Sequence, residues 1–241
     1  MAIWPIYNGM PNGHFRARPE RIAHRGAPRE FDENTLPGFL RSLERGADAV
    51  ELDVHLTRDG QVVVHHDLEI ATPDGVRVPI REMTEVEAAA IPLPAGGHVP
   101  TLAAVMDALG DRAVVYVEIK GEGVGEAAAE VADRHGSRYA FHSFNHDVVL
   151  ALRSRRPRLR YGFLFDAGCE GLLAAVESAP VADIWVHWSL VDEALVRAVH
   201  AADQRVIAWT VNDREMASRF ASLGIDGLCT DDVRLLPSGP V

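Results

Sequence analysis

Val50-Glu51-Leu52-Asp53-Val54 reads as a strand with two unlike faces. Side chains alternate with period two along a strand, so Glu51 and Asp53 share one face while Val50, Leu52 and Val54 share the other. The apolar set packs under helices, and two carboxylates are left facing inward. Working outward, this run at 49–54 is one of eight β-rich runs, the others falling at 22–24, 113–119, 139–142, 160–165, 183–187, 205–210 and 225–229. Stretches of helical period separate them. Leu36, Phe39, Leu40 and Leu43 fall at i, i+3, i+4, i+7, and Leu102, Val105, Met106 and Leu109 repeat that interval behind Thr101 as N-cap. A further helix follows Asn212, with Met216, Phe220 and Leu223 on one face and Gly224 as its C′ residue. Eight strands alternating with helices over about 220 residues predict an α/β fold, a parallel (β/α)8 or TIM barrel. An open doubly wound sheet is the runner-up, but His24-Arg25-Gly26 stands where its Gly-rich turn would be.

One interval breaks the rhythm. Between the second strand and Thr101 come a hairpin signal at Asp59-Gly60, then Pro73-Asp74-Gly75, Pro92, Pro94 and Gly96-Gly97. This predicts a small insertion at about 68–100 on the barrel mouth, between the second strand and the second helix. Residues 1–20 carry Pro5, Pro11, Pro19, Gly9 and Gly13 without apolar period and read as an N-terminal extension to a single domain spanning 21–241.

Composition narrows the function. The 241 residues carry 35 acids against 24 bases, a net charge of -11, which makes nucleic acid a poor partner while leaving room for a local cationic pocket around one small phosphate ester. Cys169 and Cys229 supply neither a disulfide framework nor a zinc set. There is no transmembrane segment, since no apolar run approaches the roughly 20 residues that span a bilayer. The start lacks the basic and apolar regions of a secretion signal, so a cytoplasmic location is expected. Oligomeric state is not readable.

In a barrel the active site forms at the C-terminal ends of the strands. There the third strand, Tyr116-Val117-Glu118-Ile119-Lys120, repeats the alternation of the second and turns Glu118 and Lys120 to one face. Glu51, Asp53 and Glu118 converge on one mouth. An ion-pair network, such as Glu118 with Lys120 or Asp53 with Arg25, would explain either strand alone. Acids at the inward phase of two adjacent strands favour a metal, and all-oxygen ligation favours Mg²⁺ or Ca²⁺. His24 ends the first strand. A two-residue turn at Asp59-Gly60 would pair Arg58 with Gln61 and set His66 opposite Asp53, whereas a slip of one residue would present His65. Imidazoles beside an acidic cluster suit acid–base work. Trp209, ending the seventh strand, is a candidate substrate wall or a packing residue, with His187 and Trp188 weaker contacts. Asn145, Thr230 and Asp231 read as caps.

The ordered set His24-Arg25-Gly26, Glu33-Asn34-Thr35, Gly46-Ala47-Asp48, Glu51-Leu52-Asp53-Val54, Thr57-Arg58-Asp59-Gly60, Val62-Val63-Val64 and His66-Asp67 resembles the N-terminal signature of the glycerophosphodiester phosphodiesterase family, metal-dependent (β/α)8 enzymes related to phosphatidylinositol-specific phospholipase C. Pro100-Thr101-Leu102, Glu118-Ile119-Lys120, Ser143-Phe144-Asn145, Trp209-Thr210-Val211-Asn212, Gly224-Ile225-Asp226-Gly227 and Thr230-Asp231 follow in family order. The resemblance implies hydrolysis of small glycerophosphodiesters to glycerol 3-phosphate and an alcohol. It also implies His24 and His66 as the acid–base pair, Glu51, Asp53 and Glu118 as metal ligands, and Arg25 and Lys120 on the phosphate. Asp32 replaces the family's usual proline, and His65 adds a second imidazole. Two other readings stay open. A lysophospholipase D would use the same chemistry on a lipid, with Trp4, Ile6, Tyr7 and Phe15 as its apolar approach; a non-catalytic barrel would bind phosphate esters without turnover.

Overall fold

A computed structural model describes residues 18–121, 123–135 and 138–239. Most of the N-terminal extension, including Trp4, Ile6, Tyr7 and Phe15, lies outside them. Eight parallel strands close on themselves: β1 (Glu20–His24), β2 (Ala49–Leu56), β6 (Val114–Ile119), β7 (Arg138–Ser143), β8 (Arg160–Phe165), β9 (Asp183–His187), β10 (Arg205–Trp209) and β11 (Gly227–Thr230). Pairing of β1 with both β2 and β11 makes the closure. The expected (β/α)8 barrel is the observed fold. Helices α1 (Leu36–Glu44), α3 (Leu102–Leu109), α4 (Val124–His135), α5 (His146–Arg155), α6 (Leu172–Ser178), α7 (Glu193–Ala201) and α8 (Arg214–Ser222) follow the first seven barrel strands, and a 3-10 turn at Val233–Leu235 follows the eighth.

The alternation seen in β2 organises two separate cores. Outward side chains such as Val50, Leu52, Val54, Val115 and Val117 pack under the helices in one large cluster. Inward ones form a second: Ile22, Ala49, Val114, Tyr116, Ala140, Leu164, Trp185, Ile207 and Cys229 fill the barrel. Its lower end is polar. Arg160 holds Asp183 at 2.5 and 2.6 Å, Arg205 holds Glu20 at 2.5 Å, and the Tyr116 hydroxyl donates to Glu20 at 2.8 Å.

The insertion builds on β2. That strand outruns β1, and its free outer half pairs antiparallel with β3 (Val62–Val64). There the structure corrects the hairpin expectation. Val54 pairs with Val64 and the Thr57 amide donates to the Gln61 carbonyl at 2.9 Å, so the loop has three residues, Arg58-Asp59-Gly60, closed by Gly60 at φ 77°. A positive φ after a turn is the three-residue solution that glycine permits. The slip makes His65, whose amide donates to the Asp53 carbonyl at 3.0 Å, the backbone neighbour of Asp53. Beyond it, β4 (Glu69–Ala71) and β5 (Arg77–Pro79) form a small hairpin, and α2 (Glu85–Ala90) starts at a Thr84–Glu87 capping box. Val63, Ile70, Ile80, Met83, Ala88, Ile91 and Val99 give the insertion its own small core.

Candidate active site

The C-terminal mouth gathers the polar residues anticipated there. β1 ends at His24, and the chain turns at once through Arg25 at φ 53° and Gly26 at φ 89°. The turn is tight because α1 presses on it: a Cβ at Gly26 would lie 2.8 Å from the Gly38 carbonyl carbon. The His24 Nδ1–H donates to Asp231 at 2.7 Å, and Asp231 in turn accepts from the Asn212 side chain at 2.6 Å. The carboxylate fixes the tautomer and leaves Nε2 for proton exchange. Burial opposes a charge on His24, but the Asp231 hydrogen bond and the Glu51 charge outweigh it and hold the imidazole pKa above its ordinary value.

Arg25 reaches back over β2, with Nε 3.1 Å from Asp53 and a terminal nitrogen 3.1 Å from Glu33. Lys120, just past β6, sits 3.0 Å from Asp53 and 2.7 Å from Glu118. Asn34 donates to Asp53 at 2.8 Å. Burial alone would raise Asp53, yet the Lys120 and Arg25 charges and the Asn34 bond bring its pKa down to about 2. Glu118 goes the other way, pushed up to about 7 by burial and by the Asp53 charge, which the Lys120 contact does not offset. The charge count explains the divergence. Three buried carboxylates, Glu51, Asp53 and Glu118, share Arg25 and Lys120 with each other and with Glu33, so negative charge is in excess. A divalent ion would offset that excess and let the mouth accept a phosphodiester anion.

The donor set fits such an ion. Ligand atoms of Glu51, Glu118 and His142 all lie within 4.8 Å of one another, and all three residues are buried. Asp53 stands next to this group, with Oδ2 engaged by Arg25 and Asn34 and with Oδ1, 3.0 Å from Lys120, lacking a hydrogen-bond partner.

His66 lines an open cleft of about 580 Å³ together with His55, Asp67, Leu68, Glu69, Arg77 and Lys120. Its Nδ1 is 2.9 Å from Asp67, and the His55 Nε2–H donates to its carbonyl at 3.1 Å. Lys120 joins the cleft to the carboxylates. Both His65 and His55 have pKa values lowered by burial. Trp209 sits on the rim with Phe144 at 5.4 Å and His187 at 5.5 Å between ring centroids. The mouth therefore joins acids, cations, several imidazoles and an aromatic edge.

Several residues here were not read from the sequence. Asp231 orients His24 rather than capping a helix, and Asp213 caps the helix that follows Asn212. Glu33 and Asn34 serve Arg25 and Asp53. His142 shares the inward phase of β7 with Ala140, so the alternation that revealed Glu51 and Glu118 also carried this signal. Thr101 and Asn145 cap their helices as expected.

Residues 24–235 match the family model described as the glycerophosphoryl diester phosphodiesterase family. A glycerophosphodiester phosphodiesterase of Caldanaerobacter subterraneus subsp. tengcongensis is 30% identical over 231 residues, covering 89% of this chain and 95% of that protein. The crystal structure of a glycerophosphodiester phosphodiesterase from Thermotoga maritima superposes with a TM-score of 0.78 at 29% identity, over 89% of this chain and 96% of that one. An Oleispira antarctica phosphodiesterase, solved in complex with the product sn-glycerol-3-phosphate, gives 0.80 at 27% identity, over 90% and 94%.

Proposed function

The chain belongs to the glycerophosphoryl diester phosphodiesterase family, and from that membership we propose that it hydrolyses glycerophosphodiesters to glycerol 3-phosphate and an alcohol at the mouth just described. One observation carries the assignment of residues: the Asn212–Asp231–His24 relay ends in the same mouth as three buried carboxylates and the two cations that face them. His24, with Nδ1 tied to Asp231, takes through Nε2 the proton of the attacking oxygen. That oxygen belongs either to water directly or to the glycerol 2-hydroxyl, the latter giving a cyclic phosphate that water then opens to glycerol 3-phosphate. Arg25 and Lys120 face the phosphoryl oxygens and oppose the charge that builds there as phosphorus becomes five-coordinate. His66, across the Lys120 cleft, gives a proton to the departing alkoxide, which is a poor leaving group without one. Trp209 walls the substrate on the rim.

Glu51, Asp53 and Glu118 would hold a divalent ion, and their oxygens suit Mg²⁺ or Ca²⁺. When bound, the ion supplies Lewis-acid stabilisation of the anionic phosphorus centre. The retained imidazoles and cations speak against a non-catalytic barrel. Among the described residues no helix is long and apolar enough to cross a membrane. Small diesters in the cytoplasm are the substrates that this reading expects, ahead of lysolipids.

Turnover of glycerophosphocholine, glycerophosphoethanolamine and lysophosphatidylcholine, offered side by side, tests the proposal. His24→Ala and His66→Ala should each lose about 10²–10⁴-fold in turnover of the first two. Native turnover in either variant would remove that histidine from the mechanism.

A further inference from the structure

His142 is a buried residue of the mouth that the diesterase reading leaves without a task. It is 1% exposed, and neither ring nitrogen has a hydrogen-bond partner. Leaving both nitrogens of a buried imidazole unmatched is costly, so a native structure that keeps one there calls for a missing partner. The ring is not loosely placed. Trp185 lies 4.4 Å away and Tyr116 lies 6.3 Å away, stacked, while the neighbouring position on β8 is Gly162, against which Trp185 leans. These walls hold the imidazole beside the acids.

The distances say what the partner is. His142 Nε2 is 3.8 Å from a Glu51 oxygen, too long for a hydrogen bond. Two donors on one ion, each about 2.1 Å from it, stand roughly 3.0 Å apart in an octahedron and roughly 3.4 Å in a tetrahedron. The gap is thus near that between two ligands of one cation. Glu118 is the register partner of His142 on the adjacent strand and completes the group of three.

We propose that His142 is a nitrogen ligand of the catalytic metal, so that this mouth selects a nitrogen-accepting transition ion such as Mn²⁺ or Co²⁺ over Mg²⁺ and Ca²⁺. The proposal rests on the diesterase reading for the presence of a metal and changes the kind of metal expected. Imidazole adds affinity for first-row transition ions, which accept nitrogen readily, and adds little for hard ions that prefer oxygen. Asp53 does not compete with this: Arg25 and Asn34 engage its Oδ2, and its Oδ1, 3.0 Å from Lys120 and without a hydrogen-bond partner, would add a further oxygen beside the two carboxylates and the imidazole.

Calorimetric titration of the metal-free full-length protein with Mn²⁺, Co²⁺, Mg²⁺ and Ca²⁺ reads the preference directly. Mn²⁺ and Co²⁺ should bind more tightly than the other two, and His142→Gln should weaken them by at least about tenfold while Mg²⁺ binding stays near its native value. Pulsed electron paramagnetic resonance of the Mn²⁺-loaded native protein should show modulation by a coordinated imidazole nitrogen, and this should vanish in the variant. The native measurement decides the matter even if His142→Gln does not fold. Absence of that modulation, its persistence in a folded His142→Gln, or equal affinity for the four ions would overturn the proposal while leaving a metal-dependent diesterase standing. Failure of all four ions to bind would overturn both.

Discussion

Asp231 decides how His24 titrates. Its hydrogen bond raises the imidazole pKa against the burial that lowers it, so Asp231→Asn should bring that pKa down. If His24 is the base it works unprotonated, and the acidic limb of the kcat/KM profile then moves to lower pH, with turnover down by about 10²-fold or more as the orienting charge is lost. A shift of the alkaline limb instead would make His24 the acid. The leaving group tests the other imidazole. If His66 protonates the departing alcohol, His66→Ala should lose far less activity on a p-nitrophenyl diester than on an alkyl diester, because nitrophenolate leaves unaided. Equal losses on both, or a larger loss for His65→Ala than for His66→Ala on the alkyl diester, would reassign the role. At this scale the strand acids and Lys120 were legible because period-two alternation exposes a polar residue at an inward position. Asp231 was not, because a carboxylate after a strand looks the same in sequence whether it caps a turn or meets an imidazole 207 positions away.

Elements were legible where packing imposes a period. The eight barrel strands show it because each has a face under helices, and α1, α3 and α8 show it through their buried stripes. The insertion shows none, since β4 and β5 have three residues each and its core draws on scattered positions from Val63 to Val99. The hairpin register failed for a related reason: Asp59-Gly60 fits a two-residue turn and the end of a three-residue loop equally well. Asp32 shows what replaces a period there. Its carboxylate accepts from the Ala95 and Gly97 amides at 2.9 Å, which ties the loop before α1 to the end of the insertion. The tightest junction is Gly26, where a Cβ would come 2.8 Å from Gly38 and 2.9 Å from Phe39 at a φ that side chains rarely adopt. Gly26→Ala should therefore cost about 2 kcal/mol or more and displace His24 and Arg25. Urea unfolding together with diester turnover checks this, and native values for both would show that the turn can yield.

For the molecule as a whole, closure places unlike chemistry at the two ends of one barrel. The upper end collects more acids than Arg25 and Lys120 match, while at the lower end Asp183 and Glu20 are paired with Arg160 and Arg205. Asp183 is buried, and the two arginines outweigh the burial penalty and hold its pKa below the ordinary carboxylate value. A depressed carboxyl pKa adds stability above the unfolded value and loses it as pH falls. Asp183→Asn should thus cost about 3 kcal/mol near neutral pH by removing the buried charge that Arg160 grips and Arg205 faces, with the gap to the native protein closing below about pH 4. Chemical denaturation at both pH values checks it, and a neutral-pH loss under about 1 kcal/mol would show the lower network to be surface-like. The central claim concerns the upper end, and phosphorus NMR of glycerophosphocholine incubated with the enzyme tests it most directly. Glycerol 3-phosphate should appear with a divalent ion present, stop forming when the ion is chelated and form again when Mn²⁺ or Mg²⁺ is restored, whereas undiminished product in the chelated enzyme, or none with any ion, would contradict the account.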